Sequence, residues 1–266
     1  MNFIRPLGNT GLQVSALGLG TVKFGRNSGV KYPSAFDLPD DNTIRNLLAV
    51  ARELQINVLD TAPAYGSSEE RIGQLLTSRH DWSLITKVGE DFDGTCSTFD
   101  FSAGHVRSSI ERSLKRLRTD FLDLVLIHSN GDDEAILRES DCVPTLRELQ
   151  KRGLIRAIGM SVKTDAGGEL AAELLDAVMV TYNLQQQDVV AVAKAHSLGK
   201  GVLVKKGLMS GHVQAVAGSP PQDLVRDSMN AVLGNCAIHS MIVGTLDTTH
   251  LRRNVELALA ALTSQR

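Results

Sequence analysis

The chain has 266 residues, 42% apolar and 22% charged, an ordinary globular balance far from disordered or fibrous composition. Lys and Arg total 28 against 30 Asp and Glu, and the formal charge of -2 gives nucleic acid or an anionic membrane no electrostatic hold and points to a small-molecule partner. The start has no basic segment followed by an apolar run, no stretch nears the roughly 18 apolar residues of a membrane span, and Cys96, Cys142 and Cys236 are odd in number and scattered, so a cytoplasmic protein without disulfides or zinc is expected.

In chain order, Phe3–Leu7 and Leu12–Val14 flank the turn Gly8-Asn9-Thr10-Gly11 and predict a small hairpin. Short apolar runs then follow at Ala16–Thr21, Asn57–Thr61, Ser83–Lys87, Leu122–His128, Ile155–Ser161, Ala177–Tyr182, Gly201–Lys205 and Ser240–Gly244. Several are rich in Val and Ile, as strands buried on both faces should be. Between them lie amphipathic stretches. Ser102–Leu117 is the clearest: Val106, Ile110, Leu114 and Leu117 recur at helical spacing while Arg107, Glu111, Arg112 and Lys115 face away. Further helices are expected near 42–54, 68–78, 142–152, 166–175, 187–198, 221–233 and 247–263. This alternation predicts parallel strands with helical crossovers, and its eight pairs predict one α/β domain over residues 1–266, a closed (β/α)8 TIM barrel whose N-terminal β-hairpin caps the barrel bottom. The rival, an open doubly wound sheet, would carry a glycine-rich phosphate fingerprint; Gly18-Leu19-Gly20-Thr21-Val22-Lys23 lacks the third glycine, and no helical pattern follows it. Residues 22–41 read as a long loop and a candidate pocket wall.

A closed barrel does its chemistry at the mouth formed by the C-terminal ends of the strands. Three neighbouring strands end there in Asp60, Lys87 and His128. Singly, each has a plain structural explanation: a helix cap, a snorkelling lysine, a satisfied histidine. Jointly they ask for another, because buried charges are costly unless paired, and Asp60 with Lys87 would form such a pair. Tyr65, in the turn Pro63-Ala64-Tyr65-Gly66-Ser67, is placed to fold over the mouth. A phenol titrates near ~10, and the Lys87 ammonium is expected to lower that value. With Tyr65 as general acid, His128 orienting the substrate oxygen and Lys87 held by Asp60, the site would stabilise charge developing on a carbonyl oxygen as hydride reaches its carbon. One His with one Asp is a poor metal site, so no metal is expected.

These residues resemble the aldo-keto reductases, over essentially the whole chain. Leu59-Asp60-Thr61-Ala62-Pro63-Ala64-Tyr65-Gly66 with Ser68-Glu69, Thr86-Lys87, and Asp120-Phe121-Leu122-Asp123-Leu124 leading to His128 are similar to the segments that carry that family's catalytic tetrad. The resemblance implies that Asp60, Tyr65, Lys87 and His128 are catalytic, with Tyr65 the proton donor. It also implies reduction of aldehyde or ketone carbonyls, or oxidation of the corresponding alcohols or sugars, with a nicotinamide cofactor, NADPH before NAD, extended across the mouth. By position, Gly20, Thr21, Asp60 and Ser161 should approach the nicotinamide half, Lys205 and Leu208 the middle, and Gly244, Thr245, His250 and Asn254 the adenosine phosphate end, where amides at the start of the last helix favour anions.

The departures from the family pattern are specific. Val162 and Met179 stand where many members have Asn and Gln to hold the nicotinamide carboxamide, so carboxamide recognition is expected to be partial or to be met by other groups such as Asn183. Gly244 and His250 stand where many have basic residues for the 2′-phosphate, so His250, Arg252 or Arg253 are expected to substitute. Residues 22–41, 90–101 and 129–140 are the expected substrate loops, with Phe92, Phe99 and Phe101 as an apolar wall. The stretch after Gly211 is short for the family, which implies an open pocket and broad specificity. The alternative function is a nicotinamide-nucleotide-binding sensor or regulatory subunit with little turnover. Physiological substrate, direction of reaction and oligomeric state stay open.

Overall fold

In the computed structural model, residues 2–211 and 221–263 are described. The strands in chain order are β1 (Ile4–Pro6), β2 (Gln13–Ser15), β3 (Leu17–Gly20), β4 (Val58–Asp60), β5 (Ser83–Val88), β6 (Glu90–Phe92), β7 (Ser97–Phe99), β8 (Leu122–His128), β9 (Ile155–Ser161), β10 (Ala177–Thr181), β11 (Gly201–Lys205) and β12 (Ser240–Val243). Eight of them close a parallel barrel in the order β10-β11-β12-β3-β4-β5-β8-β9. Each barrel strand agrees with its predicted run to within one residue at either end, because a short, doubly buried apolar run leaves little room for error. The helices are α1 (Val22–Gly25), α2 (Asp41–Glu53), α3 (Ser68–Leu75), α4 (Ala103–Leu117), α5 (Asp133–Glu139), α6 (Cys142–Lys151), α7 (Asp165–Leu174), α8 (Val189–Ser197), α9 (Pro221–Leu233) and α10 (Thr248–Thr263).

Two apolar layers hold the barrel. The outer one lies between strands and helices; the inner one fills the barrel with Val58, Ile85, Leu124, Leu126, Met179 and Leu203 among others. The predicted plug is present. β1 and β2 pair antiparallel, and Leu7, Leu12 and Val14 join the inner layer from below. Gly8 is required in that turn: its φ is +50°, and a Cβ there would lie 2.4 Å from the Lys200 carbonyl carbon. Leu7 is fully buried, so Leu7→Ala is expected to cost about 3 kcal/mol in urea unfolding. A change near zero would mean the hairpin rests on the barrel without sealing it.

Parallel register delivers residues to the mouth side by side. Gly20 pairs with Asp60, His128 with Ser161, and Thr181 with Lys205. Three predicted loops contain structure. Residues 22–41 begin with the single turn α1. Residues 90–101 form the antiparallel hairpin β6–β7, closed where the Asp93 carboxylate accepts from the amides of Thr95 and Cys96. Residues 129–140 contain α5, which buries Ile136 and Leu137 and sends the Asp133 carboxylate to the amides of Lys163 and Thr164. Elements of three to seven residues are too short for periodicity to register, and here tertiary contacts set them.

Candidate active site

The ends of β4, β5 and β8 and the turn after β4 bring Asp60, Tyr65, Lys87 and His128 together. Lys87 Nζ donates to Asp60 Oδ1 at 2.6 Å and to the Thr61 carbonyl at 2.8 Å. Side-chain exposure is only 2% for Lys87 and 6% for Asp60, so this is a desolvated pair in which each charge depends on the other. Pro63 opens the one-turn 3-10 helix Pro63–Tyr65, and Gly66 follows it at φ +60°. A Cβ on Gly66 would lie 2.2 Å from the Gly25 carbonyl oxygen, so α1 packs directly on the turn. Arg26 Nη1 adds a hydrogen bond to the Ala64 carbonyl at 2.9 Å. The Tyr65 ring therefore stands with its centre 4.7 Å from Lys87 Nζ and 6.2 Å from the His128 ring, nearly perpendicular to the latter.

Electrostatics correct one expectation. Tyr65 is raised well above an ordinary phenol, first by burial and then by the charge of Asp60, with Tyr32 and Glu90 adding to it and Arg26 opposing. The Lys87 ammonium, which lies over the ring face and is bound to Asp60, does not offset that rise. Burial lowers His128, Glu90 opposes that shift, and Lys87 and Lys205 add to it. Glu90 itself was missed in the sequence, where it falls in an expected loop. Its Oε2 lies 2.7 Å from His128 Nδ1, although the ring N–H is not aligned along that line and Nδ1 has no aligned hydrogen-bond partner. Burial alone would raise Glu90; His128, the Ser97 hydroxyl and Arg26 together bring it down to about 2. A carboxylate three residues beyond the strand-end lysine was the available signal.

The expected cofactor residues divide. Gly20, Asp60 and Ser161 lie at the mouth. Thr21 is buried with its hydroxyl turned away, donating to the Asp60 carbonyl at 2.9 Å and meeting the Ser68 hydroxyl at 2.8 Å. Lys205 Nζ donates to Ser161 Oγ at 2.8 Å and to the Val162 carbonyl at 2.6 Å, and burial pulls its pKa down to about 7. Leu208 packs beside Met209 and Leu224. Asn183, expected to replace the missing amides, is already used: its Oδ1 accepts from the amides of Gln185 and Gln186, and its Nδ2 donates to the Lys206 carbonyl. Tyr32, from the loop before α2, reaches the mouth, since a Cβ on Gly244 would lie 3.2 Å from its hydroxyl.

The residues expected at the adenosine end lie around the start of α10. The first amides of α10 hold Asp247: its Oδ1 accepts from Thr249 N at 2.7 Å and His250 N at 3.2 Å. Thr245 Oγ1 accepts from Asp247 N at 3.1 Å. His250 is largely exposed, Asn254 is nearly buried, Arg252 makes a two-pronged pair with Glu53 at 3.0 and 2.8 Å, and Arg253 pairs with Glu256 at 3.0 Å. Both arginines are thus in exposed ion pairs on the outer face of α10 and its neighbour α2.

Of the expected apolar wall, Phe92 lies under the Arg26 guanidinium at 3.5 Å, Phe101 packs on the outer core, and Phe99 is exposed. The expectation of an open pocket rests on residues 212–220, which lie outside the described residues. Among the described residues no three His, Cys, Asp or Glu are grouped to hold a metal ion, and no helix is long and apolar enough to cross a membrane. Cys142 is buried, and Cys96 and Cys236 are exposed.

Comparison with known proteins agrees with the geometry. The profile described as "Aldo/keto reductase family" matches residues 16–263. A crystal structure described as an aldo-keto reductase of Pseudomonas aeruginosa is 48% identical, covers 98% of this chain and 96% of its own, and superposes with a TM-score of 0.88. L-galactose dehydrogenase of Arabidopsis thaliana is 35% identical over 59% of this chain and 48% of its own length. NADH-specific methylglyoxal reductase of Escherichia coli is 32% identical over 58% of this chain and 50% of its own length. The chain thus spans about half the length of these two curated relatives.

Proposed function

The chain belongs to the aldo-keto reductase family, and from that premise we propose that it reduces aldehyde or ketone carbonyls of small molecules, or oxidises the corresponding alcohols or sugars, with Tyr65 as general acid. The observation that carries this reading is the buried Lys87–Asp60 pair with Tyr65 and His128 gathered around it at the mouth. The reduced nicotinamide, when bound, supplies the hydride. Asp60 fixes Lys87, whose charge attracts electron density developing at the mouth. Tyr65 keeps its proton until the substrate oxygen needs it, because burial and Asp60 disfavour the phenolate. His128 lies at the edge of the same space, its ring centre 6.2 Å from that of Tyr65.

Gly20, Ser161 and Lys205 would hold the nicotinamide half; the Lys205 ammonium, already on Ser161 Oγ, is a donor for the carboxamide where Val162 and Met179 offer none. Gly244 and Thr245 would approach the adenosine half. The family resemblance alone favours NADPH, but the local charge favours the dinucleotide without the 2′-phosphate: Asp247 occupies the α10 amides, and Arg252 and Arg253 are paired elsewhere. A phosphate dianion beside that carboxylate is repelled. Fluorescence titration is expected to show NADH binding at least as tightly as NADPH, and Asp247→Ser, which keeps the cap, should tighten NADPH about threefold and leave NADH unchanged. NADPH binding clearly tighter than NADH would return the preference to the one the resemblance implies.

A panel of small aldehydes, ketones and sugars tests the activity. Cofactor binding with turnover supports it; binding without turnover of any carbonyl or alcohol favours the sensor alternative; no binding of either cofactor means Val162, Met179 and Gly244 have removed the function.

A further inference from the structure

His128 has a partner that the tetrad alone does not supply. Glu90, on the outer hairpin, places Oε2 2.7 Å from His128 Nδ1, and the two side chains are only 13% and 18% exposed. On its far side Glu90 Oε1 lies 4.0 Å from Arg26 Nη1. Arg26 is itself fixed, with Nε donating to the Ser28 carbonyl, Nη1 to Ala64 and Nη2 to Gly29. The row Arg26–Glu90–His128 therefore runs from the loop after α1 across the hairpin to the ring beside Tyr65.

Two bare lone pairs at 2.7 Å repel, so a proton on one of the two groups relieves the contact even though no N–H is aligned along the line from Nδ1 to Oε2. At neutral pH it belongs to the ring, since the carboxyl group is ionised. We propose that Glu90 is a positioning residue: it holds His128 with the proton on Nδ1, leaving Nε2 to face the mouth as a proton acceptor, so that the ring carries protons to and from Tyr65. The proposal rests on the reading of the site as a carbonyl-reducing centre. In reduction the carbonyl carbon gains the hydride and its oxygen takes the Tyr65 proton. The phenolate so formed, which burial and Asp60 disfavour, is reprotonated through the ring: Nε2 of the neutral Nδ1–H form takes a proton from bulk solvent and passes it to the phenolate, which returns the ring to the Nδ1–H form. Glu90 stabilises the cationic form throughout. The groups facing His128 are Glu90, Tyr65, Lys87 and Lys205, and those facing Glu90 on its other sides are Arg26 and Ser97. Without Glu90, Lys87 and Lys205 still lower His128.

The test needs a readout independent of turnover. Ring nitrogen chemical shifts of the cofactor-free protein, with His128 identified by loss of its signal in His128→Asn, are expected to show the Nδ1–H form at neutral pH. In Glu90→Leu the ring should revert to Nε2–H, and in Glu90→Gln the His128 pKa should fall by about one unit, a tenfold change in proton affinity. In turnover, Glu90→Gln should lower kcat about tenfold to a hundredfold with KM changed less than about threefold, and should move the acidic limb of the pH profile; Glu90→Asp should recover part of the loss. An Nε2–H ring in the wild type, or a tautomer and pKa unmoved in both variants, overturns the proposal. If the tautomer moves as expected but no carbonyl is reduced by any form, the functional reading falls and the hold of Glu90 on His128 stands.

Discussion

Tyr65→Phe is expected to lower kcat for carbonyl reduction about a thousandfold while leaving cofactor affinity unchanged. The substitution removes one oxygen and keeps a ring whose packing is set by the Pro63–Tyr65 turn, the Arg26 bond to Ala64 and the close approach of Gly25. Fold and mouth shape should survive, and what goes is the group proposed to give the substrate oxygen its proton, a contribution of about 10² to 10⁴ in rate. The raised phenol has a second consequence. A group whose pKa lies above its ordinary value keeps its proton to higher pH, so the acid form needed for reduction is present throughout the neutral and mildly alkaline range. Reduction is therefore expected to hold its rate on the alkaline side to beyond pH ~10, the ordinary phenol value. Stopped-flow rates with a saturating aldehyde check both statements. A Phe variant within about fivefold of the wild type would remove Tyr65 from the chemistry.

Lys87→Met is expected to be the most destabilising single change at the mouth. It leaves the Asp60 carboxylate, 4% exposed, without the ammonium that now lies at 2.6 Å. Breaking one side of such a pair costs about 3 to 5 kcal/mol, whereas replacing both sides with neutral groups is often close to neutral. Asp60→Asn combined with Lys87→Met should recover much of the loss. Urea unfolding of the two single variants and the double variant gives the coupling between them. If Lys87→Met costs no more than an exposed substitution, about 0.5 kcal/mol, the pair does not act as a buried support. Neither variant should reduce carbonyls at an appreciable rate, so this arm is read by stability rather than turnover.

The barrel was legible because each of its strands is a doubly buried apolar run bounded by turn residues, and because polar residues ending neighbouring runs have few places to be except the mouth. Asp60 and Lys87 illustrate the second point: the cost of burying either charge alone foretold the pair. What could not be read was set by contacts across the chain. Glu90 meets His128 only because a hairpin with three-residue strands folds back over the mouth, and strands that short carry no periodic signal. The direction of the Tyr65 shift depends on where the Lys87 ammonium lies relative to the ring, which residue order does not fix. Asn183 looked free to bind a carboxamide because its three hydrogen bonds within its own loop and to Lys206 follow from the fold. Asp247 was different. An Asp immediately before a helical pattern is a standard cap signal, and that signal by itself implies that the first amides of the last helix are occupied.

A hydride that passes from the nicotinamide to a carbonyl carbon at this mouth can be followed by its isotope. Turnover with reduced cofactor deuterated at the transferable position, followed by mass spectrometry of the alcohol formed from the best aldehyde in the panel, is expected to give one deuterium on the carbinol carbon with the wild type. With Tyr65→Phe, labelled product should form about a thousandfold more slowly. Cofactor that binds, yet leaves no deuterium in any product, would mean that no hydride reaches a carbonyl carbon at this site.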